Sequence, residues 1–314
     1  MKRALWLAFG MISLAACKKE PSDSGDSDEP SSEVEPVVTA EFFEDLAPMN
    51  LSEDIAFAFS ASTPWMMFIT LSPQGMLGAA PEGDCPVVTS TNTGAVTQGD
   101  CTAEDGTVWY GTATTSGFKT TYEGFGVSTA TECADGGTNT AIYDGVVTMI
   151  PTQSGGIQFE ADLLVHSYGV EDDCTLFDRE LGVAYTGNSE YSGEDEDTDG
   201  QPDNQTFNGS GLFGMSDAGQ VHGTTDNELI NSIVCDFEAA SGSTTLTAGG
   251  QTAVITYDGA TDCSEEATVT WTLDGVDQGE LSGVSCSTSG GLALGWALPA
   301  LALLRRRTAR KGSK

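Results

Sequence analysis

From Trp65 to Val284 the pattern of apolar and polar positions reads as strand after strand. Runs at 67–71, 107–112, 118–127, 141–150, 157–165, 182–191, 206–215, 253–257 and 267–273 carry β-branched and aromatic residues and are bounded by Gly, Asn and Asp. No segment of ten or more residues repeats convincingly with helical periodicity. Between 40 and 59 the apolar positions Phe42, Phe43, Leu46, Leu51, Ile55, Phe57 and Phe59 permit one or two short helical turns. Aromatic–glycine couples recur at Tyr110-Gly111, Phe125-Gly126, Tyr168-Gly169 and Phe213-Gly214, which suits bends in a curved antiparallel sheet. The pattern predicts an all-β fold: an antiparallel meander of hairpins forming a sandwich or curved sheet, linked by disulfides. The acidic stretch 192–204 is where a second domain would begin, one continuous meander being the equal alternative.

Charge narrows the function classes. Asp and Glu number 47 against 12 Lys and Arg, a formal net charge of −35. Between residues 20 and 304 the only basic side chains besides histidine are Lys119 and Arg179. A body this acidic repels phosphate backbones, so nucleic-acid binding is excluded. A solvated surface accounts for the charge; affinity for divalent cations or basic partners is the sharper reading. The Gly-rich, Thr-rich, Lys-poor composition again favours β structure.

The two ends carry their own signals. Lys2 and Arg3 precede an apolar run at 4–14, and the segment closes with Leu14-Ala15-Ala16-Cys17. Positive n-region, apolar h-region and small residues are the layout of a secretory signal peptide. The ending resembles the lipobox of bacterial lipoproteins, and the resemblance covers only these seventeen residues. It implies cleavage after residue 16 by lipoprotein signal peptidase and acylation of Cys17, which would hold the protein to a membrane. Residues 17–37, rich in Pro, Ser, Asp and Glu, cannot bury enough apolar area to offset ordering and read as a disordered acidic tether. The β-rich body is expected over 38–285 and a separate terminal segment over 286–314.

In that last segment Cys286 and Gly290-Gly291 are followed by thirteen apolar residues at 292–304 and then Arg305-Arg306-Arg307. Thirteen residues of helix span about 20 Å, short of a hydrocarbon core of about 30 Å. Pro299 also interrupts the run. The order of short motif, apolar segment and Arg cluster resembles bacterial C-terminal sorting signals of the MYXO-CTERM and GlyGly-CTERM types. The resemblance implies removal of the tail by an intramembrane sortase-like protease and delivery to the cell surface. Ser285 stands where the Cys type has Gly, so the subtype stays open.

With Cys17 assigned to lipid, seven cysteines remain, and an exported chain should pair them. Residues facing each other in an antiparallel hairpin are equidistant from the turn. Cys85 and Cys101 are centred on Thr93, in a three-residue loop Asn92-Thr93-Gly94 with Gly in the left-handed position. Cys133 and Cys174 are centred within 151–155, and Cys235 and Cys263 on Gly249. A rival pairs Cys263 with Cys286 about Asp274-Gly275, a strong two-residue turn signal. The sorting resemblance gives Cys286 another role and so favours Cys235 with Cys263.

One loop carries candidate metal chemistry. Asp195, Asp197, Asp199 and Asp203 place acidic oxygens at positions 1, 3, 5 and 9, with Gly200 at the sharp turn and the Gln201 backbone carbonyl at position 7. Position 12 is Thr206 rather than a bidentate Glu. The loop resembles the calcium loops of thrombospondin type 3 and dockerin-like repeats, although it stands alone. Without the last carboxylate, weak Ca²⁺ binding of about 10⁻⁴–10⁻³ M is expected.

No catalytic signature stands out. His166 and His222 have no second ligand at metal spacing, and Ser216 lies in no nucleophile elbow, so a Ser216/His222 triad has little support. The acid pair Asp172-Asp173 carries no weight among 47 acids. Trp109, Tyr110 and Trp271 sit at strand spacing, where a core role is commoner than sugar stacking. The reading is a lipoprotein of the outer membrane or cell surface of a Gram-negative bacterium, structural or adhesive, with an unnamed surface ligand. The alternative is a secreted hydrolase or carbohydrate-binding accessory protein. A hydrolase should show a polar pocket with a convergent acid/base pair, a binding module a flat or aromatic face.

Overall fold

The computed structural model describes residues 39–61, 85–131, 133, 137–153, 155–170, 174–196, 202–231, 233–257, 259 and 268–282. Two helices come first, α1 (Thr39–Glu44) and α2 (Leu51–Ala61). Strands follow as β1 (Val87–Ser90), β2 (Gly94–Gln98), β3 (Cys101–Thr102), β4 (Val108–Ser116), β5 (Lys119–Ala130), β6 (Thr138–Pro151) and β7 (Ile157–Val170). The series continues with β8 (Leu176–Ser192), β9 (Asn204–Met215), β10 (Gly219–Asn231), β11 (Cys235–Ala248), β12 (Gln251–Thr256), β13 (Thr268–Leu273) and β14 (Val276–Ser282). The expected strand at 67–71 lies outside the described residues. Each strand pairs antiparallel with the next in a single sheet, apart from β3, which pairs only with β4 beside β2. The expected all-β meander is therefore the fold, and β8 pairs with β9 directly across the acidic stretch 192–204.

One face is the core. Along β7 it carries Phe159, Ala161, Leu163 and Val165, along β8 Leu181, Val183 and Tyr185, and along β9 Phe207, Phe213 and Met215. Helix α2 adds Leu51, Ile55, Ala58 and Phe59, with the Phe59 ring 6.3 Å from that of Tyr257. A kink at Asp54 (φ −110°, ψ 17°) divides α2, so this region holds short helical pieces of the kind expected. Helix α1 lies on the opposite face, where the Thr39 hydroxyl donates to Asp162 and Gln220 Nε2 donates to the carbonyls of Phe43 and Leu46 at 3.0 Å each. Between the helices the chain crosses the rim of the sheet: Gln220 N–H donates to Ala47 O and Met49 N–H to Gln220 O. Gly219, at φ +99°, permits this, since a Cβ there would sit 2.3 Å from Ala47 O.

Bulges decide which side chains reach the core. In β10 the register slips between Thr225 and Glu228, with Asn227 at φ +50°. Thr225 faces inward before the slip, and Glu228 and Ile230 after it. Glu228 is thereby wholly buried beside Tyr185. Thr225, Thr244 and Tyr257 extend the interior polar network, with Thr244 Oγ1 2.8 Å from the Tyr257 hydroxyl.

Desolvation raises the phenol of Tyr185, reinforced by the Glu228 charge and opposed by a Thr225 hydrogen bond. Burial likewise raises Tyr122, and pushes Tyr143 up to about 12 from an ordinary 10.0. A group whose acid form the fold retains stabilises the protein below its unfolded pKa and loses that contribution as pH climbs to the folded value. The denaturation midpoint should thus fall as pH rises from 10 towards about 12, with phenolate absorbance at 295 nm appearing later than in the unfolded chain. Phenolate appearance at an unshifted pH would contradict this burial.

Both described disulfides are the expected pairs, Cys85–Cys101 and Cys133–Cys174. The turn geometry behind them needs correction. Gly94 is not a left-handed loop residue but the first residue of β2, packed so closely on β4 that a Cβ would lie 1.9 Å from Thr115 O. Extending the observed registers puts each cysteine one residue from its partner. The offset is absorbed outside the ladders: Cys101 follows a break at Gly99-Asp100, and Cys174 sits at φ +63° in the β7–β8 turn. The expected turns at Gly249-Gly250 and Asp274-Gly275 are present with positive φ at both residues of each, the requirement of a two-residue type I′ hairpin. Cys263 and Cys286 lie outside the described residues, as do Cys17, Gly290, Gly291 and Arg305 to Arg307.

Candidate functional site at the β8–β9 loop

The longest strand, β8, ends opposite the start of β9, with Ser192 paired to Asn204. Gly193, at φ +94°, turns the chain out of the ladder into the acidic loop. Glu194, Asp195 and Glu196 are exposed as the loop leaves, whereas Asp203 is only 6% exposed as it returns. Asp203 closes the base of the loop. Its N–H donates to Glu194 O at 2.8 Å, and its Oδ2 accepts the Glu196 N–H at 3.0 Å. The other carboxyl oxygen, Oδ1, is buried and has no hydrogen-bond partner among the described residues. Beside it, Asn231 Nδ2 donates to Asn204 Oδ1 at 2.8 Å, and Asn231 Oδ1 accepts the Val234 N–H at 3.0 Å. The loop base is thus tied to the β10–β11 turn.

A half-satisfied buried carboxyl is costly, and native structures usually supply a missing water or ion. No basic side chain among the described residues is placed to answer it. Lys119 is on β5, three strands away, and Arg179 is at the far end of β8, held by Asp217 at 3.1 Å and stacked over Phe177. The donors the loop offers are carboxyl and carbonyl oxygens, the chemistry of a hard cation. Of the expected calcium ligands, Asp195 and Asp203 stand at the two ends of this loop, while Asp197, Asp199 and Gln201 lie outside the described residues. Among the described residues alone, no three His, Cys, Asp or Glu side chains converge as a metal cage.

Among the described residues, Ser216 and His222 are held by different partners. Ser216 Oγ accepts the Glu180 N–H at 3.0 Å. His222 Nε2 is instead 3.2 Å from Ser210 Oγ, which also lies 3.3 Å from Thr224 Oγ1. That Ser210–His222 contact was not legible in the sequence, because it depends on the β9–β10 register. His166 pairs with Asp178 at 2.7 Å, on a face where the Tyr168 ring stands 5.0 Å away. Trp109 is buried with its ring 5.8 Å from Phe125, and Trp271 packs against the same core. Asp172 and Asp173 lie outside the described residues. No family model matches this chain, and no curated protein or solved structure matches it either.

Proposed function

We propose that this protein is an exported, lipid-anchored surface protein whose disulfide-tied β-sheet acts as a structural or adhesive binding module. The observation that carries this reading is the pair of disulfides at turns and strand edges of the sheet, because such bridges persist in oxidising compartments. The signal-like N-terminus supports the same destination: cleavage before Cys17, a lipid on its sulfur, and the acidic tether 17–37 spacing the sheet from the outer membrane or cell surface of a Gram-negative host. Lipoprotein signal peptidase and a sortase-like protease are the processing partners, the latter acting on the Cys286 to Arg307 segment. The acidic body keeps nucleic acid away and leaves cations or a surface ligand as what it meets.

The test is intact mass with disulfide mapping on the protein extracted from its host's membranes. The expected product begins at a diacylated Cys17, lacks the C-terminal tail and contains a Cys235–Cys263 bridge beside the two already described. A soluble product retaining residues 1–16, with no lipid on Cys17, overturns the reading. An intact tail with a Cys263–Cys286 bridge overturns the sorting step.

A further inference from the structure

We propose that the open edge of β1 is a self-association surface, where two copies of this chain pair antiparallel across a two-fold axis at Thr89. Among the described strands β1 and β14 end the sheet, and β1 pairs with β2 alone. All four of its residues are exposed, Val87 and Val88 to 48% each. The hydrogen bonds decide which of them face outward. Gly99 N–H donates to Gly111 O and Gly117 N–H to Thr93 O, so the odd-numbered positions from 93 to 99 bond to β4. The even-numbered ones therefore bond towards β1, beginning with Thr91 N–H to Gly94 O at the hairpin end. Val87 and Thr89 complete that ladder, and the N–H and C=O of Val88 and Ser90 point to the open edge.

Such an edge is a template for another strand unless something guards it. Strand β14 is guarded: it carries Asp277 and Glu280, and its register with β13 slips at Trp271. Strand β1 has no such charge. No Asp, Glu, Lys or Arg stands between 85 and 99 or between 107 and 118, so β1, β2 and β4 are uncharged in a chain with 47 acids. Copies that repel one another elsewhere can approach here. Pro86, with no N–H, and the turn closed by Thr91 and Gly94 limit the usable edge to Val88 and Ser90. One register uses both residues in both copies: Val88 opposite Ser90 of the second copy, and Thr89 opposite its own equivalent. Every outward N–H and C=O is then bonded, and the two Thr89 Cα atoms stand about 4.5 Å apart as a non-hydrogen-bonded pair. So short a contact is small, and the dimer is weak, half-formed at about 0.1–1 mM protein.

The experiment is disulfide trapping in the full-length protein, kept in mild detergent that occupies its apolar runs at 4–14 and 292–304. Under mild oxidation Thr89→Cys should crosslink two copies at least about tenfold more than Val87→Cys, whose Cα atoms would stand about 13 Å apart along the strands. Raising NaCl should strengthen the trapping, because salt screens repulsion between the acidic bodies. Adding Val88→Pro should reduce it at least about tenfold, since the proline removes an outward N–H from each copy and leaves the β1–β2 ladder intact. If that variant does not fold, Ser90→Asp, which sets a carboxylate against Val88 of the second copy, carries the test. Equal trapping at 87 and 89, none at 89, or trapping unmoved by the edge variant overturns the proposal, and so does a loss of trapping on adding salt. Slow amide exchange at Val88 and Ser90 in dilute monomer overturns it too, by showing that the same chain already covers the edge. The inference goes beyond export and lipidation, and none of these results bears on them.

Discussion

Removing the Cys133–Cys174 bridge is expected to lower the unfolding free energy by about 4 kcal/mol, the larger of the two disulfide effects. The bridge closes a loop with a sequence separation of 41, against 16 for Cys85–Cys101, for which about 3 kcal/mol is expected. Both figures follow from the chain entropy that each crosslink removes from the unfolded ensemble. In the fold, Cys133 lies in the β5–β6 turn and Cys174 in the β7–β8 turn, so the bridge ties two hairpin ends across the β6–β7 pair. The double variant Cys133→Ser, Cys174→Ser avoids a free thiol, and guanidinium unfolding reads the loss. A change below about 1 kcal/mol would mean that the unfolded chain is already held compact by other contacts.

The second large effect is expected at Phe213. Its side chain is fully buried on β9, between Val183 of β8 and Val221 of β10, with its ring 5.6 Å from Tyr185. Phe213→Ala should cost about 3–5 kcal/mol, from lost transfer free energy and from the cavity left in a rigid sheet. Leu176→Ala, at a position 86% exposed, should change stability by no more than about 0.5 kcal/mol. Equal losses at the two positions would contradict the assignment of the inner face.

Much of the strand order could be read from the chain because it is local. Eight of the nine expected runs fall on strands from β4 to β13, and the ninth, at 67–71, is outside the described residues. The runs do not include β1, β2, β3, β10, β11 and β14; β10 and β11 are rich in polar residues, and even some inward positions, such as Thr225 and Thr244, are polar. Propensity is weak for such a strand; its neighbours on both sides make it one. The two-residue turns were visible for the opposite reason. Gly249-Gly250 and Asp274-Gly275 adopt positive φ at little cost, whatever surrounds them.

The candidate site divides in the same way. Alternate acids about Gly200 raise the expectation of a cation loop from the sequence alone. That Asp203 is buried, with one carboxyl oxygen unpartnered among the described residues, depends on where β9 begins its pairing. Glu228 makes the point more sharply, since by simple alternation from Thr225 it would face solvent, and one extra residue in β10 turns it into the core.

By itself, then, the sequence determined the all-β class, the order of most hairpins and the place of the acidic loop, because each depends on residues close in the chain, and it brought the two described cysteine pairs to within one residue of the observed registers. Only the tertiary structure decided the registers, the face to which each side chain turns, the passage of residues 39–61 from one side of the sheet to the other, and the burial of Asp203 and Glu228. A strand's side chains alternate with a period of two, so a single bulge exchanges inside for outside, and whether the bulge forms is settled by the strands on either side.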